Sequence, residues 1–170
     1  MNEYNLEVNR MADMINKITA ILIQDETLLR LLYYPPKSAK YPDPLDPSLP
    51  DMKDREDVWE IIDDRILNVT KVSDLEDYDK CRVMVTAERR RPVFGNYLMA
   101  NQGILISVVA HENYEKDGRI ARISDRINDL LVHEYVGAIG KIDYVKGDPR
   151  VAPRLYYRYD HVYEYQTMKR

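Results

Sequence analysis

Few residues of this 170-residue chain could do chemistry, and their spacing decides most cases. His111-Glu112 opens like a helical zinc-protease motif, in which a second histidine four residues on brings both rings to one ion. Glu115 stands there, so His111 reads as a strand-end residue. Pro50-Asp51-Met52-Lys53 holds the letters of a magnesium-dependent nuclease, but such side chains must converge from successive strands, and a proline-rich loop splays them apart. Asp63 and Asp64 are neighbours on an expected helix, where side chains diverge by about 100°. Asp43-Pro44-Leu45-Asp46 lacks the glycine turn and terminal glutamate of a calcium loop. No glycine-rich loop suited to phosphate precedes a helix. Cys81 is the one cysteine, with no candidate base beside it in sequence. The expectation is a chain that is not an enzyme, with no catalytic, cofactor-binding or metal-ligating residues.

What remains is contact chemistry. Arg89, Arg90 and Arg91 form a basic cluster followed by Pro92 and Phe94, able to clamp carboxylates bidentately or to neutralise phosphates. The plain alternative is a solvated hairpin turn. Asp43 to Asp79 holds thirteen acidic residues against four basic ones, and Lys80 to Arg170 holds sixteen basic against eleven acidic. Such a split lets copies of one protein meet acidic face to basic face. Tyrosines supply area with a polar tip, at Tyr33, Tyr34 and Tyr41 around a proline-rich stretch and at Tyr157, Tyr159 and Tyr163 in a late strand. These arginines and tyrosines are the interface candidates.

The elements that must position them follow from apolar period. Val8, Met11, Ile15, Ile18 and Leu22, widened by Met14 and Ile21, predict a helix from about Glu7 to Gln24. Asp25 then N-caps a second helix carrying Leu28 to Leu32. Six prolines between Tyr33 and Pro50 exclude helix and central strand, leaving an arm or loop. A third helix starts near Asp54, with Ile61, Ile62 and Ile66 inward and Trp59 beside them. Cys81 to Ala87 alternate as a strand, Leu98 to His111 read as a more central one, and Gly95-Asn96 is the expected turn between them. Asp117 caps a helix with Ile120, Ile123, Ile127, Leu130 and Leu131 on one side and Arg119, Arg122, Asp125, Arg126 and Asp129 on a wet face. Gly137 and Gly140 break the pattern. Ile139 to Val145 is a strand, Gly147 to Pro153 a loop, and Leu155 to Gln166 the last strand.

The expected class is α+β, a mixed or antiparallel sheet of about four to five strands flanked by helices. A single domain spans 1–170, with helices over 7–32, the proline-rich arm over 33–53, and a helix plus sheet-and-helix core over 54–170. At 45% hydrophobic and 32% charged residues the chain has material for a core. The first residues lack a secretory pattern, and the longest apolar run falls far short of the ~20 residues that span a bilayer, so the expectation is a soluble intracellular protein.

The element order, with the strand Ile104-Leu105-Ile106-Ser107-Val108-Val109, the helix Arg119 to Leu131 and the closing strands Gly140 to Tyr144 and Tyr156 to Tyr165, resembles the tail-terminator and tail-completion proteins of long-tailed bacteriophages. The resemblance implies a subunit without catalytic residues, assembled as a hexameric ring that ends the tail tube and docks to neck proteins. Its place would be the virion, after assembly in the host cytoplasm, with its partners being itself, the tail tube, the neck and DNA passing nearby in a lumen. A head-completion or connector protein is the alternative, and a small nucleic-acid-processing enzyme a more remote one.

Overall fold

Apolar spacing closes the leading segment into α1 (Arg10–Gln24) and α2 (Glu26–Tyr33) in a computed structural model that describes residues 10–136 and 139–168. Asp25 caps α2 as expected, accepting a hydrogen bond at 2.7 Å from the Leu28 N–H. Met14, Ile18 and Leu22 are the buried stripe of α1, and Met11, expected on it, is exposed. Glu7, Val8 and Gly137 lie outside the described residues. After the proline-rich loop come a 3₁₀ turn at Met52–Asp54 and α3 (Val58–Arg65). Ile62 faces the core, whereas Trp59, expected beside it, is 65% exposed.

Ile66–Leu67 leaves the helix as a short strand, β1, parallel to β2 (Cys81–Val93). The sheet is mixed, in the order β1-β2-β3-β5-β4, where β3 is Asn96–His111, β4 is Ile139–Arg150 and β5 is Tyr156–Met168. The β2–β3 turn is Phe94-Gly95, one residue earlier than expected, with Gly95 at φ 73°, where a β-carbon is disfavoured. Arg89 to Arg91 therefore lie on β2 itself. β4 continues through Gly147, where a loop was expected, because a β-carbon there would run into Tyr144 and Tyr159 and glycine lets the strand pass their rings.

Ile104, Ile106 and Val108 of β3 face the helices, joining Cys81, Val83, Val85, Tyr163 and Tyr165 with the stripes of α1, α2 and α5 (Arg119–Leu131) in one core. A four-residue helix, α4 (Glu112–Glu115), leads into α5. Gly118, at φ 69°, holds the N-cap position assigned to Asp117, and the Glu115 carboxylate accepts from the Ile120 N–H at 2.9 Å. The wet face expected on α5 is largely engaged. Arg119 is fully buried, Arg122 binds Asp43 at 2.8 Å and Arg126 binds Asp25 at 2.6 Å.

The other sheet face is half covered by the Asn68 to Lys80 segment, which packs Leu75 on Met84, Val109 and Tyr156. Alternation had placed Arg82 on a polar face, yet it is 0% exposed. Its Nε donates to the Asp64 carbonyl at 2.9 Å, and its terminal nitrogens donate to the Lys71 carbonyl at 2.9 Å, the Asp64 carboxylate at 3.0 Å and both Asp74 oxygens at 2.7 and 2.8 Å. All five guanidinium N–H groups are satisfied, the condition under which so buried a charge is tolerated.

Substitutions at two positions separate these roles. Ile127→Asp should abolish soluble folding, since an unpaired carboxylate in the core costs several kcal/mol of a small margin. Arg82→Ala should lower stability by about 3 kcal/mol, the low end for a broken buried pair because Asp64 and Asp74 keep some water. Arg82→Lys should not recover it, as one ammonium cannot serve both carboxylates and two carbonyls. Urea midpoints measure both arginine variants.

Candidate assembly surfaces

The arginine cluster is carried by a built arm. Between Ala87 and Arg90 the β2–β3 register shifts by a bulge. Buried Gln102 fixes it by donating to the Glu88 and Gly103 carbonyls, each at 2.9 Å. Gly103 leaves room there, because a β-carbon would press on the Arg89 carbonyl and the Glu88 side chain. A bulge of this kind re-aims a strand, and here it opens a two-stranded arm. Among the described residues the last pair with β5 is Met99 with Met168, and the arm beyond it is paired through its own two strands. Phe94 and Tyr97 are exposed by 104% and 82%, and Leu98 and Met168 are exposed beside them. Arg91 is ion-paired to Glu164, while among the described residues no ion pair engages Arg89 or Arg90.

Much of the acidic segment is used inside the chain. Asp43 binds Arg122, Asp51 binds Arg30, Asp57 binds Arg55, Asp64 and Asp74 bind Arg82 and Lys80, and Asp79 meets His111 at 3.2 Å. Among the acids of this segment without an ion pair among the described residues, Glu56, Glu60 and Asp63 flank Trp59, spaced three and four apart on the exposed side of α3 and the turn before it.

The tyrosines divide. Tyr34 is buried, and its hydroxyl donates to the Pro50 carbonyl at 2.7 Å. Tyr33 is half-buried, with the Arg55 guanidinium 4.6 Å above its ring. Tyr41 and Tyr157 are exposed, Tyr159 is half-buried, and Tyr163 is buried with its hydroxyl donating to Asn128 Oδ1 at 2.6 Å. Tyr34 and Tyr163 thus serve the chain's own interior.

One polar constellation was not legible in sequence. His161 Nε2 lies 2.7 Å from Ser124 Oγ, and its Nδ1 lies 3.3 Å from the Tyr144 hydroxyl. The types would suit an activated serine. Both Ser124 and His161 are buried between α5 and β5, so the bond satisfies interior polar groups. Burial pushes the imidazole below its ordinary 6.5. The Cys81 thiol, buried beside β3, is pushed up to about 12. Among the described residues no group of three or more His, Cys, Asp or Glu is placed to hold a metal ion, and no helix is long and apolar enough to cross a membrane.

The fold is α+β, a five-stranded mixed sheet with its helices gathered largely on one face. Residues 25–165 match the family model described as YomW, and the chain belongs to the YomW family. The SPbeta prophage-derived uncharacterized protein YomW of Bacillus subtilis strain 168 is 28% identical over 144 residues, covering 78% of this chain and 82% of that protein. A chain from the virion of a native gene transfer agent particle aligns with a TM-score of 0.43 at 12% identity, covering 61% of this chain and 78% of that one.

The titrating groups predict two separate losses of stability with acid. The folded His161 binds a proton less readily than the unfolded one, so stability falls as pH drops below about 6.5. Asp43 and Asp74 are held below their ordinary 3.8 chiefly by hydrogen bonds from Arg122 and Arg82, so their contribution is lost only below about pH 4. Urea midpoints taken across pH should show both steps, and His161→Gln should remove the upper one alone. An upper step that persists in the variant assigns it to another group.

Proposed function

We propose that this chain is a structural protein of a bacteriophage virion, a ring-forming tail terminator at the junction between tail tube and neck. The observation that carries the reading is kinship, since the family match runs over residues 25–165 and a relative aligned along most of the chain is prophage-derived. The α+β element order agrees with the resemblance, and the exposed aromatic and basic arm suits a protein that works by contact. In this reading the work is geometric: the ring caps the growing tube, and its other surface receives the neck.

Light scattering on the purified chain, followed by negative-stain imaging, should show a closed ring with a central hole. Disrupting the gene in a phage that carries it should give DNA-filled heads beside tails of uncontrolled length. Tails of normal length lying beside heads that leak DNA would move the protein to the head-completion position. Normal infectious particles would overturn the virion reading altogether.

A further inference from the structure

Resting on that assembly reading, we infer that the β2–β3 arm of one copy docks on the exposed face of α3 in the next copy, placing Phe94 and Tyr97 against Trp59 and Arg89 and Arg90 among Glu56, Glu60 and Asp63. An isolated two-stranded hairpin is marginal in water, yet this arm ends in aromatic side chains that bury little within their own chain. Such a tip gains stability when something covers it. Charge complementarity selects the cover. The arm offers two guanidinium groups without ion pairs among the described residues, and the side of α3 offers three exposed carboxylates in the same state around a solvent-facing indole. Guanidinium groups both pair with carboxylates and stack on indole faces.

Within one chain the two patches sit toward opposite ends of β2. Arg65, the last residue of α3, donates to the carbonyl of Cys81, the first residue of β2, at 3.2 Å, and the arm's turn follows the last. At about 3.3 Å per residue, Arg89 lies roughly 26 Å and the turn roughly 40 Å along β2 from Cys81. Nor does either patch suit itself, since one is basic and the other acidic. A contact joining different surfaces of identical subunits is head-to-tail, the kind that closes into rings or runs on as filaments.

Charge reversal tests the contact because each patch can be inverted alone. The variant Arg89→Glu with Arg90→Glu, and separately Glu60→Lys with Asp63→Lys, should each elute at monomer mass. Their equimolar mixture should regain the parent mass, because every arm then faces an opposite charge, and all four changes in one chain should do the same. Recovery on mixing also proves that each variant is folded. Trp59 is the single tryptophan, so its emission should shift to the blue as the parent is concentrated through assembly. A parent that stays monomeric at every concentration overturns the assembly reading and this contact with it. A parent that assembles while both variants also assemble, with Trp59 emission unmoved, overturns the contact alone. Arm variants that assemble normally but lose retention on DNA at low salt would overturn it in favour of nucleic acid.

Discussion

Three guanidinium groups with almost no access to water hold the irregular parts of this protein to its regular ones. Arg30 donates to the carbonyls of Asp46 at 2.9 Å and Leu49 at 2.8 Å, Arg82 to those of Asp64 and Lys71, and Arg119 to those of Leu31 and Tyr34. Each also binds a carboxylate, from Asp51, Asp74 and Asp117 respectively. The shared pattern has a physical reason. Loops and helix ends carry carbonyls without partners, and burying these is costly unless a donor comes with them. One arginine supplies five donors, and a neighbouring carboxylate offsets its charge. The proline-rich segment, which cannot pair through its own prolines, is fastened in this way by Arg30 and Arg122.

This device shapes the surface that is left. A local excess of acid looks in sequence like one charged region, but folding sorts it, pairing Asp43, Asp51, Asp64 and Asp74 with arginines and leaving Glu56, Glu60 and Asp63 exposed and without ion pairs among the described residues. Arg91 is likewise occupied by Glu164 while Arg89 and Arg90 stay open. The charge asymmetry that survives folding is therefore smaller and more local than the composition suggests. It sits at the two ends of β2, where short-range pairing decides its use.

The periodic elements were legible because burial imposes period. Ile123 and Ile127 of α5 and the inward-facing Cys81, Val83 and Val85 of β2 stand where spacing placed them. Asp25 was legible because its cap needs three consecutive residues of local geometry. The errors came where distant groups decided. Nothing within several residues of Arg82 reveals that Asp64 and Asp74 will enclose it, so it read as a solvent-facing strand residue. Arg119 and Arg122 looked wet because their partners are remote in sequence. Gly147 read as a loop signal, although its role is to let β4 pass beside Tyr144 and Tyr159. Of the interface candidates, the sequence placed the arginines on the β2–β3 hairpin but could not sort the tyrosines, since a row of rings looks alike whether it faces a core or a partner.

The sheet's own edges direct attention back to that arm. An open edge strand invites pairing with another chain unless it is short, charged, kinked or proline-bearing. β1 has two residues, and β4 combines Lys141, Lys146 and Pro149 with two register shifts against β5. The β4 edge is thus poorly suited to strand addition, and where β2 runs on beyond its pairing with β1 at Val83 and Met84 it carries Arg89, Arg90, Arg91 and Pro92, so these edges favour association through side chains. An arm used in that way must hold its direction, because a head-to-tail contact repeats the same rotation at every step and a small error decides between closing and running on. Gln102 at the bulge, Gly103 beside it and the Arg91–Glu164 pair across β3 restrain the arm at its root. In the proposed contact, the residues that restrain the base and those that expose the tip would answer one requirement, a directed arm with an aromatic and basic end.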